Sequence, residues 1–361
     1  MALNCGMVGI AGCGKTTLFN SLSRGRNLAA QVSGRTNLGQ IEVPDPRLEA
    51  IAGITKPPRV VPTTIEIVDI PGLTKGGSKT KGGNQFLADI RQCDAIIHVL
   101  RCFDDVTVPH MEGSVNPLRD KEIIDLELIT SDLVTVEKKR DRLQKVAAVG
   151  DKDAKKGTEV LSAMMDHFEN GEPARTFSIQ ETDRKYVDDC FLLTVKPVIY
   201  VCNVDEASAA AGNHHVEKVR PAIEEEGSEL LIIAAQAESE IATLEDEEDR
   251  QEFLRDIGLK EPAVNKLIRA AYRTLRLQTF FTFGPKEARA WTLREGTPAP
   301  QAAGIIHSDM ERGFIRAEVM KSSDFIELGS EQACKQAGKF HIEGKNYIVR
   351  DGDIFHVRFN V

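Results

Sequence analysis

One short segment near the N-terminus constrains the fold most: Gly9-Ile-Ala-Gly-Cys-Gly-Lys-Thr16. It continues an apolar run at residues 3–10 that is typical of a buried strand, and it leads into a helix-forming stretch at Lys15–Arg24. Glycines at this spacing let successive backbone N–H groups turn inward around a phosphate, and the start of the helix adds partial positive charge. The segment therefore predicts a phosphate-binding loop (P-loop).

Each residue type in this loop has an expected role. Lys15 supplies the cation that reaches the β- and γ-phosphates, which makes it a catalytic candidate, and the Thr16 hydroxyl is a candidate ligand for Mg²⁺. The other candidate nucleotide-binding residues of the loop are Gly9, Gly12, Cys13, Gly14 and Thr17. Because Cys13 lies beside Lys15 and a helix N-terminus, we expect its side chain to favour the thiolate form. We also expect it to be the most oxidation-sensitive of the chain's seven cysteines.

Composition narrows the class of protein. With 46 basic and 55 acidic residues the net charge is −9, so bulk electrostatics will not hold the chain on nucleic acid. An RNA contact then requires a local patch, and DNA is not an expected partner. No apolar run approaches the roughly 20 residues that cross a bilayer, so no membrane contact is expected. The scattered cysteines argue against both a disulfide framework and a zinc site, which indicates a cytoplasmic protein.

The remaining strand signals indicate an α/β fold. Short apolar runs at residues 64–70, 95–101, 198–202 and 230–234 are separated by helical stretches. This pattern predicts a doubly wound, mainly parallel sheet covered on both faces. We assign residues 1–115 and 196–276 to this P-loop nucleotide-binding domain.

Two further regions have different patterns. Within residues 116–195, a strongly helical stretch at 120–149, a turn at Gly150–Gly157 and a helical return to Leu193 predict an inserted helical or coiled-coil hairpin. An ordinary helical subdomain packed on the sheet is the alternative. Residues 277–361 contain strand-like runs broken by Gly and Pro, at residues 279–283, 288–293, 314–319, 347–350 and 354–359, which predicts a small α+β domain.

A second phosphate-facing segment follows the strand at 64–70. Asp69 stands at the strand's carboxyl end, where it can hold Mg²⁺, and Gly72 of the same Asp-Ile-Pro-Gly turn offers a backbone N–H to the γ-phosphate. The glycine- and lysine-rich stretch at residues 75–83 is typical of a switch segment that orders on that phosphate.

The nucleotide base is expected to meet the ends of two later strands. Asn203-Val-Asp-Glu206 stands where guanine-specific proteins carry Asn-Lys-x-Asp, so Val204 occupies the lysine position and Glu206 that of the last carboxylate. Guanine offers two donors to that carboxylate, whereas adenine offers none. The substitutions therefore favour ATP over GTP. The next strand ends in the expected base-contacting backbone loop, Ala234, Ala235 and Gln236.

Taken together, the sequence resembles the YchF subfamily of Obg-like ATPases along essentially its whole length. The stretches that carry the resemblance include Val43-Pro-Asp-Pro-Arg-Leu48, Gly284-Pro-Lys-Glu287, Gln301-Ala-Ala-Gly-Ile305 and Arg358-Phe-Asn-Val361. The resemblance implies a nucleotide domain with an inserted coiled coil and a C-terminal TGS domain. It also implies ATP hydrolysis, association with the ribosome or ribosomal RNA, and a role for His110 in positioning the attacking water.

Two positions depart from the family pattern. Gly12 replaces an asparagine that is a proposed ligand for a monovalent cation. Ser33, in the aligned segment at residues 30–34, replaces the Mg²⁺-binding threonine of the first switch, with Thr36 as a slipped alternative. The resemblance also implies that no water-orienting glutamine follows the Asp-x-x-Gly turn, and Leu73 occupies that place here. Nucleotide binding is therefore expected, with slow hydrolysis.

The leading interpretation is a slow ATPase that acts as a conformational switch on the ribosome. Three alternatives stay open: a GTPase of the same fold, a P-loop small-molecule kinase, and an RNA- or ribosome-docking protein with a vestigial nucleotide site. A kinase would require an acceptor pocket and lid arginines, which the sequence does not identify.

Overall fold

The computed structural model describes residues 4–22, 36–73 and 81–360. The chain forms two compact units, one of Met1–Gly39 and Glu66–Ala270, the other of Gln40–Ile65 and Ala271–Val361. The second unit thus takes in an early segment of the chain as well as its C-terminal part. The three-part division with boundaries after residues 115, 195 and 276 stays a prediction.

The first sheet has six strands: β1 (Asn4–Val8), β2 (Asn37–Glu42), β4 (Thr64–Asp69), β5 (Ala95–Arg101), β6 (Val198–Asn203) and β7 (Glu229–Ile233). Their order is β2-β4-β1-β5-β6-β7, and the β4-β1-β5-β6-β7 pairings are all parallel. Every residue of β5 and β6 is buried, as their continuous apolar runs predict for central parallel strands. The predicted parallel α/β fold is confirmed, and β2 is an addition that the apolar pattern did not indicate.

Helices alternate with these strands along the chain. They are α1 (Lys15–Leu22), α3 (Lys81–Arg91), α6 (His214–Glu225), α7 (Ala235–Thr243), α8 (Glu247–Asp256) and α9 (Ala263–Thr274), the last of which crosses the unit boundary after Ala270. Because parallel strands all point their carboxyl ends to one edge, the loops before α1, α6 and α7 meet at that edge.

A helical hairpin is inserted between β5 and β6. Helix α4 (Pro117–Ala147) begins at an Asn116 cap and a proline at its first position, and α5 (Lys152–Glu169) returns along it. Apolar side chains of both helices form a shared core, with Ile129, Val136, Leu161 and Met164 among its buried members. The predicted hairpin is therefore observed.

Two details of the predicted hairpin are wrong. Helix α5 already begins at Lys152, inside the predicted turn, and the helical return to Leu193 stops at Glu169. After that residue only short 3₁₀ turns follow, at Ala174–Thr176, Glu181–Tyr186 and Asp188–Cys190. Tertiary contacts hold this part of the chain instead, since the Asp132 carboxylate of α4 accepts the backbone N–H groups of Leu193 and Thr194.

The second unit contains a mixed sheet flanked by short helices. Its strands are β3 (Val60–Val61), β8 (Leu277–Phe283), β9 (Ala288–Arg294), β10 (Phe314–Lys321), β11 (His341–Glu343) and β12 (Asp353–Phe359), in the order β11-β10-β12-β8-β9-β3. The helices are α2 (Pro46–Thr55), α10 (Ala299–Ile306), α11 (Ser308–Arg312), α12 (Ser322–Leu328) and α13 (Glu331–Gln336). A strand is expected at residues 347–350, but none forms there. Ile348 makes only an isolated bridge to Pro298. Among the described helices, none is long and apolar enough to span a membrane.

Candidate functional site

The predicted phosphate loop joins β1 to α1 in a conformation that requires glycine. Gly12 and Gly14 have φ angles of +79° and +90°, which side chains other than glycine rarely adopt. A Cβ atom on Gly14 would also lie 2.1 Å from the side-chain nitrogen of Asn203. The loop can therefore close against the end of β6 only because residue 14 has no side chain.

The positive charge of Lys15 is not neutralised by any described residue. The side chain is buried, yet its ammonium group makes no hydrogen bond or ion pair to any residue in the described ranges. A Cβ atom on Gly72 would lie 2.9 Å from Nζ, so the ammonium group lies directly beside the Asp-x-x-Gly turn. That turn is itself bonded to the phosphate loop, since Leu73 donates its N–H to the Gly9 carbonyl at 3.2 Å. Lys15 and Gly72 thus lie together, as the γ-phosphate roles assigned to them require.

Thr16 and Asp69 form the candidate Mg²⁺ site. The Thr16 hydroxyl lies 3.2 Å from Asp69 Oδ2, and the other oxygen, Oδ1, is buried with no hydrogen-bond partner in the described part of the chain. Burial raises the pKa of Asp69, an effect that the nearby charge of Lys15 opposes. A hydroxyl beside a buried carboxylate with a free oxygen fits Mg²⁺, which prefers oxygen ligands.

The third predicted metal ligand, Ser33, lies outside the described residues. Thr36, the alternative to Ser33, is described, and its hydroxyl donates to the Asp89 carboxylate at 2.7 Å. That hydroxyl is therefore engaged elsewhere.

Asn203 ties the base loop to the phosphate loop. Its amide donates to the Cys13 carbonyl at 2.9 Å, and its carbonyl accepts the Ala235 N–H at 3.0 Å. The side chain is buried, so both of these backbone groups depend on it for a partner. Asn203 is thus a structural link between the two loops.

The other base-loop residues differ in exposure. Val204 is buried and donates its N–H to the Ile233 carbonyl at 3.0 Å. Glu206 is exposed at the start of a 3₁₀ turn, Glu206–Ser208, and its carboxylate has no partner in the described part of the chain. Ala234 precedes α7, and the side chain of Gln236 is exposed and bonded to Glu240.

Both ring nitrogens of His110 make hydrogen bonds within the protein. Nε2 lies 2.9 Å from Asp120 Oδ2, and Nδ1 accepts the Glu112 N–H at 3.1 Å. Because Nδ1 is an acceptor, the proton is on Nε2, which donates to Asp120. Only 4% of the side chain is exposed, so His110 is not the free surface residue that a loop position suggests. It can reach a water molecule only by leaving Asp120.

Arg101 is a site residue that the sequence reasoning did not single out. It lies at the end of β5, is 1% exposed, and donates to the carbonyls of Phe103, Asp105 and Val108 at 2.9–3.2 Å. The segment so held covers the phosphate loop, since Val108 Cγ1 would lie 3.3 Å from a Cβ on Gly12. The sequence signal that could have identified it is a charged residue at the end of an otherwise apolar strand.

The expectation for Cys13 is wrong. The residue is 1% exposed, and burial raises the pKa of its thiol, although Lys15 and a backbone hydrogen bond act in the opposite direction. Desolvation outweighs the nearby positive charge because the side chain points inward, toward Gly9, and not to solvent. Cys13 is therefore a shielded thiol.

Comparison with known proteins agrees with this geometry. Residues 4–141 match the family model MMR_HSR1, described as 50S ribosome-binding GTPase, and residues 277–360 match YchF-GTPase_C, described as a protein of unknown function (DUF933). The ribosome-binding ATPase YchF of Haemophilus ducreyi is 47% identical over 365 residues, and that of Bacillus subtilis is 46% identical over 367. Both alignments cover the whole of each chain.

A solved structure is also similar. The YchF GTPase of Schizosaccharomyces pombe superposes with a TM-score of 0.87 at 33% identity, covering 99% of this chain and 97% of that one. Full-length identity at this level, with the P-loop, the Asp-x-x-Gly turn and the base loop assembled at one sheet edge, shows that the chain belongs to the YchF family.

Proposed function

We propose that the chain is a Mg²⁺-dependent ATPase that prefers ATP to GTP and acts as a slow conformational switch on the ribosome. The relatives with full-length similarity are ribosome-binding ATPases of the YchF family, which supports both the ATPase activity and the ribosomal partner. Association with ribosomes would place it in the cytoplasm. The observation that carries the choice of nucleotide is the base loop.

Guanine recognition needs a carboxylate held at fixed geometry against two donors. Glu206 is one methylene longer than the aspartate of guanine-specific loops, and it is exposed, with no residue in the described ranges to hold its carboxylate. Val204 is buried where those proteins carry a lysine that braces the base. Losing a paired polar contact costs about 1–3 kcal/mol, or roughly tenfold to a hundredfold in affinity. GTP therefore loses the contacts that would favour it.

Adenine needs a different partner. Its N6 amino group is a donor, and both hydrogen-bonding groups of Asn203 are already occupied by Cys13 and Ala235. A backbone carbonyl of the loop at residues 234–236 is therefore the more available acceptor.

Binding of the phosphates rests on residues that the structure brings together. The N–H groups of the loop between Gly9 and Thr16 would surround the phosphates. The ammonium group of Lys15, which has no partner in the described part of the chain, lies beside Gly72 and would meet the γ-phosphate there. Thr16 and Asp69 would hold Mg²⁺, which neutralises charge on the β- and γ-phosphate oxygens when bound.

Slow hydrolysis follows from the residues near the water position. Leu73 is buried and bridges Ile10, so it cannot orient water as a glutamine would. His110 is the remaining candidate for orienting the water. Its ring must first break its hydrogen bond to the Asp120 carboxylate. Each requirement adds to the barrier for the chemical step.

A second candidate is GTP hydrolysis, because the Schizosaccharomyces pombe relative is described as a GTPase. Steady-state turnover of the purified chain with ATP and with GTP, each with and without 50S subunits, separates the two. We expect kcat/KM for ATP to exceed that for GTP by about tenfold or more, and the chain to co-sediment with the subunits.

Lys15→Ala is the matched control for contaminating nucleoside triphosphatases in that assay. Faster turnover of GTP than of ATP would support the GTPase. Ribosome binding without turnover above the Lys15→Ala background would support a docking protein with a vestigial site.

A further inference from the structure

A cluster of two imidazoles and a carboxylate lies outside the phosphate site. Asp104 follows the end of β5, and His214 and His215 are the first two residues of α6. Asp104 Oδ2 lies 3.2 Å from His215 Nε2, and the two imidazole centroids are 3.9 Å apart. One donor atom from each residue lies within 4.8 Å of the other two.

This donor set is that of a transition-metal site. Zinc takes His nitrogen and Asp oxygen ligands at about 2.0–2.2 Å, so two ligand atoms of a tetrahedral site lie about 3.4 Å apart. The observed 3.2 Å between Asp104 Oδ2 and His215 Nε2 is close to this separation. His214 is exposed, with no hydrogen bond in the described part of the chain, so a small rotation of its ring completes the set. Mg²⁺ prefers oxygen ligands alone and does not fit.

The backbone holds these ligands in place before any ion binds. Arg101 donates to the carbonyls of Phe103 and Asp105, on both sides of Asp104. The cap of α6, Asn213, accepts the N–H of His215 and donates to the Cys102 carbonyl at 2.8 Å. Asp104 and the histidine pair are therefore fixed to the same strand end, which is the preorganisation that a metal site needs.

We propose that Asp104, His214 and His215 form a binding site for a zinc-class divalent ion, with water completing the coordination. The scattered cysteines argued against a zinc site, but these donors are imidazoles and a carboxylate. His215 would bind through Nε2, since its Nδ1 is buried. The bound ion would tie α6 to the segment that covers Gly12.

Titration of the full-length, tag-free chain with Co²⁺ after chelator treatment and desalting tests this proposal. We expect one equivalent to give the visible d–d bands of low-symmetry Co²⁺, and Zn²⁺ but not excess Mg²⁺ to abolish them. Zn²⁺ should also raise the melting temperature of the chain, which Mg²⁺ at this site should not.

Two exposed ligands supply variants that should fold normally. Asp104→Asn and His214→Ala should each weaken Co²⁺ binding by about tenfold to a hundredfold or more, the range seen even for loss of an outer-shell partner. His341→Ala, an exposed histidine of β11, should leave binding unchanged.

Equal affinity in all three variants would overturn the site, as would the absence of stoichiometric binding. Charge-transfer bands of a cobalt thiolate would also overturn it, since they would assign the ion to a cysteine.

Discussion

The side-chain amide of Asn203 donates to the carbonyl oxygen of Cys13 across 2.9 Å, and so joins the end of β6 to the middle of the phosphate loop. Its carbonyl holds the Ala235 N–H at the start of α7. A single buried side chain therefore links the candidate base loop to the candidate phosphate loop.

Asn203→Ala should weaken ATP and GTP binding by similar factors. The variant leaves the Cys13 carbonyl and the Ala235 N–H without a partner, at about 1–3 kcal/mol for each buried group. Isothermal titration with both nucleotides measures this. Because Asn203 acts on loop geometry and not on the base, a large change in the ratio of the two affinities would contradict this role.

Lys15→Ala should reduce ATP affinity by about a hundredfold or more while the chain stays folded. The side chain is buried, but its ammonium group has no partner within the described residues, so its removal breaks no hydrogen bond or ion pair of the nucleotide-free protein among them. Titration with ATP and thermal unfolding without nucleotide report the two effects. Lys138→Ala, at an exposed position of α4, should change neither. Retained affinity in Lys15→Ala would remove the phosphate-binding role from this loop.

His110→Ala should slow ATP turnover, on the order of a hundredfold, with ATP affinity nearly unchanged. The reason is that a water-positioning group contributes mostly in the transition state. Asp120→Ala is the matched control, because it breaks the same contact but keeps the imidazole. Single-turnover rates should fall in the first variant and not in the second. An equal fall in both would mean that the contact, and not the imidazole, supports turnover.

Glu238 should make stability depend on pH. It is 2% exposed in α7, accepts the Ala263 N–H at 2.6 Å, and burial raises its pKa from 4.5 to about 7. Because the folded-state pKa is the higher one, the folded chain keeps a proton that the unfolded chain has released. This contribution to stability is therefore complete below about pH 4.5 and is lost as pH rises to about 7.

Glu238→Gln should remove the loss of stability that deprotonation of Glu238 causes as pH rises. Relative to wild type, the variant should gain up to about 3 kcal/mol of unfolding free energy above pH 7 and almost nothing near pH 4. Urea unfolding at several pH values checks the difference, with exposed Glu245→Gln as the control. A gain that does not vary with pH would rule out titration of Glu238 as its cause.

Features set by local chemistry were predictable from the sequence. The glycine spacing before Lys15 required a loop between strand and helix, and the continuous apolar runs of β5 and β6 required buried parallel strands. Asp69 and Gly72 could be placed beside the phosphate loop because parallel strands end at one edge of the sheet.

Features set by tertiary contacts were not predictable from the sequence. The thiol of Cys13 takes its pKa from burial, which outweighs the adjacent Lys15. The partner of His110 is Asp120, on a helix that no pattern around the histidine indicates. The segment at residues 170–195 has helix-forming composition, but Asp132 holds its end in a non-helical course. In each case burial or a contact with another element overrides the local preference.

Competition binding of ATP and GTP to the wild type and to the double variant Val204→Lys with Glu206→Asp tests the central claim most directly. The account predicts that the wild type binds ATP at least about tenfold more tightly. It also predicts that the double variant narrows or reverses this difference, because the carboxylate and the bracing lysine of a guanine loop are then both present. A wild-type preference for GTP of about tenfold or more would contradict the account and identify the chain as a GTPase.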